Sequence, residues 1–170
     1  MENIKLVGEV KKWIIRKGLW FLYEFMDFDY LTDEEIDLII EEKAPKYESK
    51  GYVPAYKYEV RLHNGDVRIG RIDIRIGYNK NTHYGGNIGY EIETAYRGNY
   101  YAAKAFRLLK QVALAHEMDK IIITCSPNNT ASRKTCENVG ARLIEIAQLP
   151  SDNEMYRLGH RQKCIYEWIL

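Results

Sequence analysis

The sequence predicts one mixed α/β domain over residues 1–170, and three observations predict it. The chain has 46% apolar and 29% charged residues, as an ordinary globular protein with one substantial core does. Residues 58–77 alternate apolar and polar side chains in the manner of a β-hairpin. Further on, a helical stripe of apolar residues separates two strand-like runs, which indicates a parallel crossover connection.

Composition and charge exclude several classes of protein. The formal net charge is +1, so nothing favours binding to nucleic acid or to a charged membrane surface. No apolar run approaches the roughly 20 residues of a membrane span, and the opening stretch MENIKLVGEV lacks the apolar core of a signal peptide. Cys125, Cys136 and Cys164 are widely spaced and form no CxxC motif. We therefore expect a cytoplasmic protein with reduced thiols and no metal site.

The first patterned segment is predicted to be a helix. TDEEIDLIIEE opens with Thr32 and has Glu35 three residues later, which is a capping-box pattern. Apolar residues then recur at helical spacing, at Ile36, Ile39 and Ile40. The polar stretch KAPKYESKGYVP connects this helix to the hairpin.

The hairpin is predicted to turn at Asn64-Gly65. A two-residue type I′ turn needs positive φ at both positions, which asparagine and glycine tolerate. In that register four apolar residues share one face, as the pairs Leu62–Val67 and Val60–Ile69. After Gly70 the apolar residues change phase, which predicts a β-bulge there.

The C-terminal half alternates strands and helices. NIGYEI and KIIITC are strand-like, and the continuous apolar run of the second is typical of a strand buried on both faces. TASRKTCEN is predicted to be a helix that ends at Gly140, and ARLIEIAQL and QKCIYEWIL supply the last strands. The long helix between NIGYEI and KIIITC has one apolar stripe, formed by Ala102, Ala105, Phe106, Leu109 and Val112.

The corner YRGNYYAAKAFRLLK, where a turn becomes the long helix, is the first candidate site. The first amides of a helix have no partners and carry the positive end of its dipole, so they suit a phosphate. Arg97 adds charge, Gly98 adds flexibility, and Ala102 and Ala103 leave room for the anion. A turn followed by an ordinary core helix explains the same pattern, so the corner alone leaves both interpretations open.

A second motif favours the functional interpretation. NNTASRKTCENVGARL follows directly on IIITC, and together with RGNYYA it resembles the Gcn5-related N-acetyltransferase family in order and spacing. The stretch IGY further resembles the branch that includes ribosomal-protein N-terminal acetyltransferases. The resemblance covers roughly residues 60–170, and it departs from the family at Tyr100, where the family has its central glycine. The matching residues are Arg97, Gly98, Ala102, Asn129, Ala131, Ser132, Glu137 and Gly140.

The resemblance implies a mostly antiparallel sheet flanked by helices, with a splayed parallel strand pair that holds acetyl-CoA as the acyl donor. The pantetheine arm would lie in that opening, along the backbone of Ile92, Glu93 and Thr94. Asn129 would hydrogen-bond to the arm, and it is equally suited to cap its helix, which is a compatible role. The pyrophosphate would rest on the amides of Gly98, Asn99, Tyr100, Tyr101, Ala102 and Ala103.

The implied reaction is direct attack of a primary amine on the thioester, which needs an oxyanion donor and a base. A backbone N–H near Ile92 is the implied oxyanion donor. Glu91 is the first candidate base, although a surface glutamate explains it equally well. His83 and Glu154 are further candidates for the base.

The sequence leaves three alternatives for the acid that assists the leaving thiolate. Many relatives place a tyrosine seven residues after the motif asparagine, where this chain has Cys136. A thiol could donate there, but a buried helical cysteine is more often packing alone. Ser132 is the alternative donor, and a reaction without a dedicated acid is the third.

Three functions remain open on the sequence alone. They are an acetyl-CoA-dependent N-acyltransferase, a non-catalytic acyl-CoA-binding or regulatory domain of the same fold, and an unrelated α/β protein. The predicted partner is a small-molecule or peptide amine, without nucleic acid or membrane, and a homodimer is left open. The acceptor would contact GLWFLYEFMDFDYL and PSDNEMYRLGHRQK, although the first stretch suits the core as well.

Overall fold

The computed structural model describes residues 23–170 and shows eight strands and four helices there. The beginning of GLWFLYEFMDFDYL lies outside the described residues. The helices are α1 (Lys80–Gly85), α2 (Tyr101–Ala115), α3 (Thr130–Asn138) and α4 (Glu154–Arg157). The strands are β1 (Tyr30–Thr32), β2 (Ile36–Ala44), β3 (Ala55–Leu62), β4 (Arg68–Arg75), β5 (Ile88–Ile92), β6 (Lys120–Cys125), β7 (Arg142–Gln148) and β8 (Gln162–Ile169).

The strands form two antiparallel sheets, which confirms the predicted fold class. The first has five strands in the order β1-β2-β3-β4-β5, and the second has three in the order β6-β8-β7. β5 and β6 are therefore edge strands of different sheets and form no ladder with each other. This separation is the splay that the fold was expected to contain.

One cluster of buried side chains runs through both sheets and the helices that cover them. Phe106 and Leu109 of α2 are fully buried, as the apolar stripe predicts, whereas Ala102 at its beginning is only half-buried. Burial on β6 alternates between buried and half-buried residues. The prediction that this strand is buried on both faces was wrong, because the face that carries Lys120, Ile122 and Thr124 is only half-buried and borders a small cavity.

The predicted helix over TDEEIDLIIEE was also wrong, because this stretch forms β1, a tight turn and β2. The Asp33 carboxylate accepts hydrogen bonds from the amides of Glu35 and Ile36, and Glu34 has φ 66°, which closes a turn instead of starting a helix. β2 then pairs with strands on both sides. Two ladders of tertiary hydrogen bonds override the helical spacing of the isoleucines.

The β3–β4 hairpin is confirmed, but its turn is not type I′. Asn64 has φ 56° whereas Gly65 does not have positive φ, and the Leu62 amide donates to the Val67 carbonyl at 3.1 Å around a four-residue loop. The predicted bulge is present one residue earlier than expected. Val60 pairs with Gly70 and Arg61 with Arg68, which leaves Ile69 as the extra residue.

The remaining elements follow the sequence pattern. β5, β7 and β8 lie where strands were predicted, and α3 ends before Gly140, which has φ 85°. Within residues 23–170, the helices are all too short or too polar to span a membrane.

Candidate functional site

A cavity of about 880 Å³ opens between β5 and β6, and the first turns of α2 and α3 form its ends. Its wall combines the backbone of β5, the end of β6 and residues 96–102 at the start of α2. The cavity therefore occupies the splay between the two sheets, which is the place where the sequence predicts the donor.

Asn87 holds the two sheets together where the splay begins. Its amide donates to the Ile122 carbonyl at 2.6 Å, and its side-chain oxygen accepts from the Ile122 amide at 2.9 Å. Its side-chain nitrogen donates to the carbonyls of Arg75 and Gly77, so this fully buried side chain is completely paired. Gly86 precedes it with φ 76°, and a Cβ there would lie 3.1 Å from the Thr124 amide. These contacts join the two sheets next to the cavity.

The start of α2 presents unpaired backbone donors to the cavity. The helix has no side-chain cap, and Tyr100 precedes it in a left-handed conformation with φ 60°. Among the described residues, none accepts a hydrogen bond from the amides of residues 98–103. Tyr100 is 66% exposed and also lines the cavity. Tyr100 is thus the residue immediately before the first turn of α2.

The end of β5 uses some of the backbone groups that the pantetheine arm was expected to bind. Nε of Arg97 donates to the Ile92 carbonyl at 2.8 Å, and the Glu93 amide donates to the Ile69 carbonyl at 2.9 Å. Thr94 begins a 3₁₀ turn. The Arg97 side chain thus anchors the corner.

Other amides of β5 are directed into the gap. The Arg75 amide donates to the Asn87 carbonyl and the Glu93 amide to the Ile69 carbonyl, so the odd-numbered residues of β5 bond toward β4. In an antiparallel ladder the alternate residues point the other way. The Tyr90 and Ile92 amides consequently face β6 across the cavity, where an oxyanion could accept a hydrogen bond.

The start of α3 is capped, in contrast to α2. The side-chain oxygen of Asn129 accepts from the Ser132 amide at 3.0 Å. The side-chain nitrogen of Asn129 has no acceptor within residues 23–170, and the residue lines the cavity. One side chain can therefore cap the helix and still donate to a ligand.

Ser132 lies on the cavity wall and is held by a tyrosine. The Tyr90 hydroxyl donates to Oγ of Ser132 at 2.9 Å. Ser132 is 6% exposed, and the Tyr90 ring packs edge-on against Phe106 with 5.0 Å between ring centroids. Burial raises the pKa of Tyr90, so its phenol stays protonated at neutral pH. Tyr90 was missed at the sequence level, because it lies 42 residues from Ser132 in the chain.

Cys136 was expected to act either as a thiol donor at the cavity or as a packing residue. In the structure two cysteines, Cys136 and Cys125, occupy these two kinds of position. Cys136 is fully buried and does not line the cavity, and a hydrogen bond to Cys125 together with burial raises its pKa. Cys125 lines the cavity, and hydrogen bonding with Cys136 lowers the pKa of its thiol. The thiol that reaches the cavity is therefore that of Cys125, at the end of β6, outside both motifs.

The candidate bases lie in different places. Glu91 lines the cavity from the sheet face opposite Tyr90, where its carboxylate is 3.5 Å from the Arg71 guanidinium and its side chain is 61% exposed. His83 on α1 pairs with Glu145 at 3.5 Å and lines a separate, smaller cavity. Glu154 begins α4 and does not line the main cavity. The geometry thus brings Glu91 alone of the three to the splay.

Lys163 is a further cavity residue that the sequence did not indicate. It lies on β8, and burial lowers the pKa of its amine. Its position on β8 fits no motif, so only the fold brings it to the site. Within residues 23–170, no group of three or more His, Cys, Asp or Glu side chains is arranged to hold a metal ion.

Comparison with known families gives one match. The profile of the acetyltransferase (GNAT) domain matches residues 11–142. No curated protein matches the chain.

Solved structures give several matches at low identity. A Vibrio cholerae protein assigned as a ribosomal-protein-serine acetyltransferase matches with a TM-score of 0.58 and 15% identity, over 85% of this chain and 98% of that chain. The Salmonella typhimurium enzyme that modifies the N-terminal serine of 50S ribosomal subunit protein L7/L12 matches with a TM-score of 0.51 and 18% identity, over 72% of this chain and 67% of that chain.

The microcin C7 self-immunity acetyltransferase MccE, in complex with acetyl-CoA and AMP, matches with a TM-score of 0.54 and 18% identity. The match covers 68% of this chain and 61% of that chain. At identities this low, the three likenesses show the shared fold.

Proposed function

Because this chain belongs to the GNAT acetyltransferase family, we propose that it transfers an acetyl group from acetyl-CoA to a primary amine by direct attack. The observation that carries the proposal is the cavity between β5 and β6, which ends at the uncapped start of α2. The acetyl-CoA bound to MccE, a protein of the same fold, supports the donor.

In the proposed complex the pyrophosphate accepts hydrogen bonds from the amides of residues 98–103. These groups have no partner among the described residues, and a helix start favours an anion electrostatically. The pantetheine arm lies between the sheets, where the free amide nitrogen of Asn129 and the inward amides of β5 offer donors. Since Arg97 already donates to the Ile92 carbonyl, that carbonyl contributes less to the arm than the amides do.

The proposed reaction forms a C–N bond and breaks the C–S bond of the thioester. The amine nitrogen attacks the carbonyl carbon, and the Ile92 amide hydrogen-bonds to the oxyanion. Glu91 takes the proton that the amine loses. The electron pair of the C–S bond goes to the CoA sulfur, which accepts a hydrogen bond from Ser132 and is protonated on release.

The acceptor approaches from the face that carries Glu91. Arg71, Glu91 and Lys163 give this face mixed charge, so a peptide N-terminus, a polyamine and a small antibiotic amine all remain candidates. The Salmonella typhimurium neighbour modifies a peptide N-terminus, which supports the first of these. We further propose that the whole chain acts as one domain and that it works in the cytoplasm. In that reducing compartment Cys125, Cys136 and Cys164 would stay unpaired, as they are in the structure.

A non-catalytic acyl-CoA-binding domain is the second candidate. The observation that favours it concerns Cys136, which occupies the position of the family tyrosine. Cys136 is buried and does not line the cavity, so this helix position offers no proton donor there. Binding without turnover is the property that would distinguish this candidate.

Two measurements on the purified protein test the proposal. Saturating CoA should raise the melting temperature, because a ligand that prefers the native state stabilises it, by about 2.7 kcal/mol at a concentration of 100 Kd. A screen of amines with acetyl-CoA should then release free thiol with one acceptor class. A melting temperature unchanged by CoA would overturn the proposal, and stabilisation without thiol release on any amine would favour the non-catalytic domain.

A further inference from the structure

The departing CoA sulfur needs a hydrogen-bond donor, and the structure offers one in an unexpected place. The helix position that carries a tyrosine in many relatives holds Cys136, which is buried away from the cavity. A phenol nevertheless reaches the same helix from the opposite wall, because the Tyr90 hydroxyl donates to Ser132. Both residues line the cavity: Tyr90 lies on β5, which forms one side of it, and Ser132 lies in the first turn of α3, at one of its ends.

The hydrogen bond fixes the direction in which Ser132 can donate. A serine hydroxyl has one proton and two lone pairs, and Tyr90 occupies one lone pair. Ser132 does not donate to the backbone carbonyl four residues earlier. Thr135 on the same helix does donate in this way, to the Ala131 carbonyl. The Ser132 proton is therefore left for an acceptor on the cavity side.

A sulfur atom already lies in this part of the cavity. Cys125 and Ser132 both line it, and hydrogen bonding with Cys136 and Ser132 lowers the pKa of the Cys125 thiol. The CoA sulfur would be a second sulfur atom beside Ser132.

We propose that Tyr90 is a positioning residue that directs the Ser132 hydroxyl toward the sulfur of CoA and so stabilises the leaving thiolate. This inference rests on the proposed function. No proton leaves Tyr90: its hydrogen bond polarises the Ser132 O–H bond, and the thiolate accepts that polarised donor. The Tyr90 ring is kept in place by its edge-on contact with Phe106, so the donor is oriented before CoA binds.

The test compares the binding of CoA with that of desulfo-CoA, which lacks the sulfur atom, by calorimetric titration at about pH 8.5, close to the pKa of an ordinary thiol. The wild-type protein should bind CoA about tenfold more tightly than desulfo-CoA, as a hydrogen bond to a charged group predicts. Tyr90→Phe should reduce this ratio by about threefold or more while desulfo-CoA affinity stays within about twofold, because the lost hydroxyl acts only on the sulfur. Ser132→Ala should abolish the preference.

Two further proteins control the comparison. Tyr166→Phe removes another buried tyrosine hydroxyl that contacts α3, where it accepts from Arg133 at 3.2 Å, and it should leave the ratio unchanged. Cys125→Ala removes the protein sulfur that lines the cavity, and Tyr90→Phe should reduce the ratio in that background as well.

The outcomes separate this inference from the proposed function. If Tyr90→Phe weakens both ligands equally, or leaves the ratio unchanged in both backgrounds, Tyr90 is a packing residue and the inference is overturned while acetyl-CoA binding stands. If the wild-type protein binds neither ligand, the proposed function fails and the inference fails with it.

Discussion

The two helices that border the cavity begin in opposite ways. α2 starts after Tyr100 without any side-chain cap, so its first amides are free. α3 starts with Asn129, whose side-chain oxygen takes the Ser132 amide. The first helix start can bind an anion with its backbone, whereas the second is stabilised internally and presents side chains to the cavity.

This difference assigns a separate task to each end of the cavity. Backbone donors bind a phosphate whatever side chains they carry, so the α2 end can tolerate Tyr100 where relatives have glycine. At the α3 end the proposed contacts are made by the side chains of Asn129 and Ser132, which line the cavity. Substitutions should consequently act through the main chain at α2 and through side-chain chemistry near α3.

The largest effect is expected at Glu91, where a substitution should change turnover without changing acetyl-CoA affinity. Glu91→Gln should lower turnover on the order of 10²-fold or more and leave acetyl-CoA affinity nearly intact, because the amide cannot take the amine proton. Thiol release measures turnover with an amine found in the screen, and titration measures affinity. Arg71→Gln is the matched control: it removes the partner of Glu91, keeps the carboxylate, and should retain most activity. Wild-type turnover of Glu91→Gln at every pH would remove Glu91 from the mechanism.

Proline substitutions at equivalent positions test the backbone contrast directly. Ala102 and Ala131 are both the second residue of their helices, and proline is tolerated in a first turn. Ala102→Pro removes one free amide at the proposed phosphate site, so CoA should bind about 10-fold to 100-fold more weakly. Ala131→Pro should change the affinity by less than about threefold. Equal losses in the two proteins, measured by calorimetry and with unchanged melting temperatures, would contradict the assignment of the phosphate to α2.

Asn129 should show the double role of the α3 start. Aspartate caps a helix as well as asparagine does, but it has no amide donor, so Asn129→Asp should fold normally and bind CoA several-fold more weakly. Asn129→Ala loses the cap too, and its free energy of unfolding should fall by about 1 kcal/mol. A titration that gives wild-type CoA affinity for a folded Asn129→Asp protein would reduce this residue to a helix cap.

The smallest effect on binding is expected at Tyr100. Tyr100→Ala keeps the left-handed residue and its amide, so CoA affinity should change by less than about 1.4 kcal/mol, a factor of ten. Tyr100→Gly relieves the cost of φ 60° and should raise the free energy of unfolding by about 1 kcal/mol relative to the alanine protein. A large gain in affinity for Tyr100→Ala would show that the tyrosine blocks the phosphate site.

The parts of the molecule that the sequence predicts correctly are those set by neighbours in the chain. α2, α3 and the apolar stripe follow from local spacing, and both motifs lie at helix starts. The presence of the hairpin was predicted correctly. The type of its turn and the exact position of its bulge were not, because both depend on how β3 and β4 pair. β2 was misjudged because β1 and β3 pair with it, and that pairing does not show in TDEEIDLIIEE itself.

The parts of the site that the sequence does not show depend on distant partners. Asn87 holds the sheets together through Ile122, and Tyr90 orients Ser132 from another strand. Cys125 and Lys163 reach the cavity because β6 ends there and β8 begins there. Residue type and spacing carry no information on such contacts, since each pair is separated by a whole crossover or more.

Amide chemical shifts of the ¹⁵N-labelled protein test the contrast between the two helix starts most directly. Titration with CoA should shift the backbone amides of residues 98–103 strongly, because they gain charged acceptors, whereas the Ser132 amide should shift little since Asn129 already holds it. Desulfo-CoA, which retains the phosphates, should shift residues 98–103 in the same way. Saturating CoA that leaves these six amides unshifted, or that shifts the start of α3 instead, would contradict the proposed phosphate site.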